Sequence, residues 1–394
     1  MTTTDIRGDA PPRPHRLLDP GPLGRLPQLS ERQLIDLVEA CGLTGRGGAG
    51  FPTAIKMHAV ATGRRRPVVV ANGMEGEPLS HKDAVLLTRS PELVLDGLEL
   101  VGRALKAHRM VLAVGPEIDP HPVFEAAATR RHIEILHLQG GFVAGQESAL
   151  LNQIEGRPAV PRDPLTRVTD RGVDARPTLV SNAETLAHLA LAARFGAASF
   201  RSAGTAEDPG TSLFTISGAV ARPGVVEAER GTPLGDILAP AGPTPDLAAV
   251  LVGGYHGAWV PADALHTPMT RAALAPFNAS VGAGILYVLD THTCPITAAA
   301  DIAGYLAGES AAQCGPCING LPRLADSLRR LADGVRDQRL PAEIERLRGL
   351  VTGRGACAHP DGTARMIGST LSTFDDHVAA HLAGWCPSER GARR

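Results

Sequence analysis

The chain has 394 residues, 43% apolar and 20% charged, with a net charge of −2. That length supports two to four domains with sizeable cores, and the near-neutral balance gives no electrostatic reason to expect nucleic acid or an anionic membrane as a partner. Six cysteines (41, 294, 314, 317, 357 and 386) are too sparse for a disulfide scaffold, so a reducing cytoplasm is expected, where clustered cysteines mean metal or redox chemistry.

In chain order, residues 1–29 contain "APPRP" and "DPGPLG" with no apolar signal-peptide core, and read as a flexible tail. Ser30 is a suitable N-cap for a helix over "ERQLIDLVEACG", which Gly42 stops. The Gly-rich "GRGGAGFPT" follows, then a helix over "AIKMHAVAT". "PVVVANG", "MVLAVG" and "IEILHL" read as buried strands with helical segments between them, which predicts an α/β domain over 30–205 with a parallel sheet covered on both faces. From residue 206 to 292, "TSLFTISGAVARPGVVEAE" reads as strand, Pro-Gly turn, strand. "TPLGDILA" is a short helix, and "AAVLVGG" and "GILYVLD" are further strands, making a small α+β domain. Residues 293–385 are helical, with four helices over "ITAAADIAGYLAG", "INGLPRLADSLRRLADG", "PAEIERLRGLV" and "MIGSTLSTFDDHVAAHLAG"; 386–394 form a second tail. No apolar run approaches the ~18 residues of a membrane-spanning helix, so direct membrane insertion is not expected.

The pair Cys314-Gly-Pro-Cys317 has the spelling of a thioredoxin dithiol, but such a dithiol sits where a strand meets a helix, and here both flanks are helical. A metal site with Cys357 in "GRGACAHPDG" fits better. The glycines let that backbone approach closely, and three thiolates suit an iron–sulfur cluster, whereas a closed zinc site ordinarily wants a fourth ligand. Buried, unliganded cysteines remain the plain alternative.

These residues resemble the FMN- and NADH-binding flavoprotein subunit (the F subunit) of respiratory complex I, a family that includes the diaphorase subunits of NAD-linked hydrogenases and formate dehydrogenases. The family's cluster motif is Glu-Ser-Cys-Gly-x-Cys-x-Pro-Cys-Arg with a fourth cysteine some forty residues on. This chain reads Glu309-Ser310-Ala311-Ala312-Gln313-Cys314-Gly315-Pro316-Cys317-Ile318, with Cys357 in the last place. Ala311 stands where the first ligand belongs. The resemblance therefore implies a three-iron cluster, a four-iron cluster completed by a non-Cys ligand such as Ser310 or His359, or no cluster. Cys294 is expected to be a packing residue.

"GRGGAGF" holds Gly45-x-Gly47-x-x-Gly50, which fails as an ordinary dinucleotide fingerprint because a helix precedes it, yet is similar to the family's FMN loop. "VVVANGMEGEPLSHKD", "GGFVAGQESALLNQIEG" and "VSNAETLAHL" answer three further family motifs, with Met74, Phe142, Gln146 and Ser181 as departures. The resemblance implies FMN contacts from Gly45, Arg46, Gly47, Gly48, Lys56 and Asn72, and from Glu75, Gly145, Glu147, Asn182 and Thr185. It places Phe51, Glu77 and Gln146 at NAD(P)H, Phe51 by stacking. "VPRDPLTRVTDRG" lacks the lysine and phenylalanine with which relatives help hold NADH, and neutral Gln146 is expected to relax or reverse the preference for NADH over NADPH.

The fold implied is an FMN-binding α/β domain, a ubiquitin-like β-grasp domain of the soluble-ligand-binding (SLBB) type, and a C-terminal four-helix iron–sulfur domain. The activity implied is transfer of electrons from NAD(P)H through FMN to an iron–sulfur cluster (4Fe-4S or 3Fe-4S) and on to a ferredoxin or partner subunit. It would act within a hetero-complex, cytoplasmic and peripheral to a membrane complex through its partners. The alternative is a degenerate member that binds a flavin or other ligand and serves as an interaction or assembly subunit.

Overall fold

Four strands, β1 (Val68–Gly73), β2 (Arg109–Val114), β3 (Ile133–His137) and β4 (Thr178–Asn182), form an all-parallel sheet in the order β3-β2-β1-β4 in the computed structural model, which describes residues 16–130, 132–162 and 165–388. The four residues Val68, Val69, Val70 and Ala71 are fully buried, as a central parallel strand covered on both faces requires. Helices Glu31–Cys41, Pro91–Ala104 and Ala183–Arg201 cover one face, and helix Glu147–Ile154 packs on the other. The first of these helices has the expected start and stop. Ser30 and Gln33 form a reciprocal capping box, and Gly42 ends the helix at φ 66°. Strand β4 was not expected, because "TLVSN" has no clear period of its own; it is created by pairing with β1.

The expected amino-terminal tail is packed over its described part. Leu17 is fully buried, the Leu17 and Leu18 amides donate to Glu227 Oε2 (2.8 and 3.2 Å), and Arg194 donates to Gly24 O (2.9 Å). Proline and glycine punctuate that segment, but its spaced leucines pack on the main core. At the other end Cys386 and Ser388 are buried. Residues 1–15 and 389–394 of the two tails, and Asp163 and Pro164 of "VPRDPLTRVTDRG", lie outside the described residues.

The second sheet joins β5 (Thr211–Gly218), β6 (Gly224–Glu229), β7 (Leu247–Val252), β8 (Ala258–Pro261) and β9 (Ile285–Asp290) in the order β6-β5-β9-β7-β8. Only β5 and β9 pair in parallel, which gives the β-grasp arrangement. Short β8, unexpected from sequence, is an edge strand, where its terminal Pro261 leaves no ladder bond unmade. The Trp259 N–H donates to Ser369 Oγ (2.8 Å) and its indole N–H to Thr370 Oγ1 (3.0 Å), which ties β8 to the helical region.

That region contains helices Pro295–Gly308, Leu321–Ala332, Leu340–Val351, His359–Thr373 and Asp375–Leu382. The fourth expected helix thus begins seven residues earlier than Met366 and is divided at Phe374 (φ −123°, ψ 45°), whose ring packs on Trp259 at 5.5 Å. Its early start was hidden by "HPDG", although proline in a first turn costs no hydrogen bond.

Candidate functional site

A cavity of about 900 Å³ opens at the carboxyl ends of β1 and β4, the end of a parallel sheet where ligands ordinarily bind. Its walls come from three regions: the α/β domain with the glycine loop 45–51, Gly253–Gly257 and the segment 275–285 leading into β9 of the β-grasp domain, and Cys357–His359 of the helical domain. Every candidate residue for FMN and nucleotide lines it except Arg46. The Arg46 guanidinium is buried against Thr44 Oγ1 (3.0 Å) and Pro209 O (3.1 Å), and burial, with Arg230 nearby, lowers its pKa to about 9. Its backbone N–H still holds Thr185 Oγ1 (2.9 Å), so it fastens the loop from behind.

The loop itself fits a ligand that must come close to peptide. A Cβ at Gly45 would meet no protein atom outside its chain neighbours nearer than 3.6 Å, and no positive φ demands glycine there. What its missing side chain supplies is room beside the backbone, where a phosphate or ring is accommodated. Phe51 is 52% exposed at the cavity edge, an apolar ring presented to a planar ligand. Lys56 is held by an ion pair to Glu147 and donates to Val180 O (2.8 Å), which fixes one cation at the cavity wall.

Several candidates are committed to the scaffold. The Glu75 carboxylate accepts from the Asp83 and Ala84 amides (3.0 and 2.9 Å) and from Ser80 Oγ (2.6 Å), capping helix Lys82–Arg89. Asn72 Nδ2 donates to Gly145 O (3.0 Å) and Oδ1 accepts from Met74 N–H (3.1 Å). Gln146 Oε1 caps helix Glu147–Ile154 by accepting from the Ser148 and Ala149 amides, both at 2.9 Å. Glu77 is different. Its Oε2 accepts from Tyr255 N–H (3.1 Å), while its buried Oε1 has no hydrogen-bond partner among the described residues. Burial, only partly offset by the Tyr255 amide, pushes its pKa up to about 8, so it carries a proton at neutral pH.

In the cavity wall lies a charge cluster that sequence reasoning passed over. Lys82, 2% exposed, pairs with Asp83 (2.8 Å) and Glu184 (3.0 Å) and donates to Asn182 Oδ1 (3.2 Å). Burial alone would lower the Lys82 pKa, but Asp83 and Glu184 outweigh it and hold it above the ordinary lysine range. Burial opposes ionisation of Glu184 as well, yet Lys82 and His188 bring it down to about 2. The signal was present, since "HKD" and "NAE" stand in two of the quoted motifs, but nothing local shows that they meet.

Cys314, Cys317 and Cys357 come together as expected, Cys317 on a single π-helical turn, Pro316–Gly320. Burial raises the Cys317 thiol to about 12, with neighbouring Cys314 adding to it, and the Ser310 hydroxyl bonds to its sulfur. At Cys314 burial is outweighed by the Ala356 and Cys317 N–H groups, and its pKa falls. Three thiols with a serine beside them fit an iron–sulfur cluster carried by three cysteines. His359, expected as a candidate fourth ligand, is already spent. Its Nε2–H donates to Leu306 O (2.8 Å) and its Nδ1 accepts from His256 Nε2 (3.2 Å). Ala311 bears no ligand atom, and Ala312, where the family motif has glycine, sits at φ 48°.

Residues 38–191 match the family model described as the Nuo51 FMN-binding domain, 213–254 the SLBB domain, and 297–381 the NADH-ubiquinone oxidoreductase-F iron–sulfur binding region. The chain is 30% identical over 375 residues to the second NADH-quinone oxidoreductase F subunit of Rhizobium meliloti (strain 1021), covering 89% of each. The chain belongs to the family of these F subunits. Another relative, the NADP-reducing hydrogenase subunit HndC of Solidesulfovibrio fructosivorans, is 28% identical over 91% of this chain and 78% of its own length. Among solved structures, NAD+-reducing [NiFe]-hydrogenase in the H2-reduced state superimposes with a TM-score of 0.83 at 31% identity, over 90% of this chain. The match spans 63% of that hydrogenase chain's length. Among the described residues no helix is long and apolar enough to cross a membrane.

Proposed function

We propose that this chain takes electrons from NADH or NADPH and passes them through FMN to an iron–sulfur cluster at Cys314, Cys317 and Cys357, and from there to a ferredoxin or partner subunit of a hetero-complex. The observation that supports it best is the reach of one cavity. The same walls that carry the glycine loop also carry Cys357, so a ring beside Gly45 and a cluster at Cys357 are neighbours. A flavin accepts a hydride's two electrons together and releases them singly, which a cluster requires. Phe51 offers the stacking surface, Lys56 the cation, and protonated Glu77 a hydrogen-bond donor at Oε1. The nucleotide enters beside Gln146, whose amide sets no charge of its own against a 2′-phosphate, while the neighbouring Glu147 is paired with Lys56.

The substitutions at Met74, Gln146, Ser181 and Ala311 raised a scaffold reading, but the glycine loop, Lys56 and the cavity are intact. Anaerobically purified protein is expected to show flavin bands that NADH or NADPH bleaches, together with iron and a paramagnetic signal on reduction. Colourless protein that refuses added FMN would refute the proposal. Ala311→Cys is expected to raise iron per chain and make the cluster less sensitive to air.

A further inference from the structure

The helical region carries a second set of metal-type ligands, separate from the three cluster cysteines. Cys294 caps the start of helix Pro295–Gly308, and its Sγ accepts from Thr297 N–H (3.5 Å). His377 and His381 stand one turn apart on helix Asp375–Leu382, and Cys386 follows the end of that helix. Both sulfurs and one nitrogen of each imidazole lie within 4.8 Å of one another. That helix 295–308 is about 21 Å long at 1.5 Å per residue, and Cys314 lies beyond its far end, so the two sets are distinct centres.

The side chains are already turned as ligands. His381 Nδ1 is 3.1 Å from Leu331 O, and a carbonyl only accepts, so the proton sits on Nδ1. The lone pair of Nε2 then faces the group, 3.2 Å from Cys294 Sγ. A backbone carbonyl behind a histidine is the usual outer partner of a metal-bound imidazole. His377 Nδ1 is buried with no hydrogen-bond partner among the described residues, and His381 and Cys386 are 3% and 8% exposed. Two polar rings and two thiols converging in a shielded spot are poor packing material, whereas they satisfy one another around a cation.

We propose that Cys294, His377, His381 and Cys386 hold one zinc ion in a closed tetrahedral site. Ligand atoms this near one another leave space for a single atom and not for a cluster, and a soft S2N2 set favours zinc over oxygen-preferring cations. Four protein ligands leave no open position, which makes the site structural. It fastens helix Asp375–Leu382 and the residues just after it to the start of helix Pro295–Gly308, at the end of that helix away from Cys314.

Metal analysis of the full chain is the test. About one zinc per chain is expected beside the iron, and His377→Ala with Cys386→Ser is expected to remove it while flavin and iron persist. Cys314→Ser is expected to do the opposite, lowering iron and sparing zinc, so loss of the electron-transfer reading does not carry this one with it. Should the double variant not fold, chelated wild-type protein titrated with cobalt(II) alone reports instead. Tetrahedral cobalt–thiolate bands are expected, and Cys386→Ser is expected to weaken cobalt binding by roughly 100-fold or more, beyond what losing an outer-shell partner costs. Zinc-free protein that gives no such bands, unchanged zinc in the double variant, or a Cys294–Cys386 disulfide in the intact mass each overturns the site.

Discussion

Replacing Lys82 by methionine keeps most of the side-chain volume and removes one buried charge. The Lys82 ammonium lies 2.8 Å from Asp83 and 3.0 Å from Glu184, all three almost wholly inaccessible. At an effective dielectric of 20 each pair is worth about 6 kcal/mol of gross attraction, most of which offsets the cost of taking three charges out of water. Removing the cation leaves two carboxylates without their partner, and breaking a buried pair this way costs about 3–5 kcal/mol. The loss depends on pH. Burial, opposed by Lys82, already raises Asp83 to about 6, and without Lys82 its pKa climbs further. A raised carboxyl binds its proton more tightly folded than unfolded, so the deficit, which at pH 5 already includes the loss of the stabilisation that Lys82 gives ionised Glu184, grows further as pH rises through 6 to 8. Denaturant dependence of hydrogen exchange at the β1 and β4 amides reads this domain separately from the other two. A deficit under about 1 kcal/mol at pH 8, or one equal at pH 5 and pH 8, would refute the reasoning.

Three further outcomes are expected. Glu77 has its folded pKa raised from the ordinary 4.5 to about 8, so wild-type stability falls as pH rises between those values, by at most about 5 kcal/mol; water in the open cavity reduces this to roughly 2. Glu77→Gln is expected to flatten that slope in thermal melts from pH 5 to 8.5, and an unchanged slope places the titration elsewhere. Ala312→Gly relieves a left-handed alanine at φ 48° but frees the unfolded chain, for a net gain of about 0.5–1 kcal/mol in denaturant unfolding of the helical domain. Gln146→Glu keeps the helix cap and adds a charge, and is expected to shift flavin-reduction selectivity roughly tenfold toward NADH over NADPH in stopped-flow measurements; equal effects on both cofactors refute a role for that charge.

Short-range patterns were legible because their causes are local. A valine run buried on two faces, a Ser30–Gln33 capping box, a Pro-Gly hairpin and a glycine loop before a helix each declare themselves within a dozen residues. Family motifs then led to the lining of the cavity. Strands β4 and β8 were not legible, since each exists through its neighbour's hydrogen bonds. Nor were the roles of Glu75, which caps a helix at the cavity wall, and of Arg46, which braces the glycine loop from outside the cavity. Lys82 with Glu184, and Cys294 with His381, lie 102 and 87 residues apart. Which charges neutralise one another, and which sulfur faces which imidazole, is decided by chain closure over distances at which sequence carries no periodic signal. The amino acids supplied the ligands and charges, and only the packed fold decided their partners.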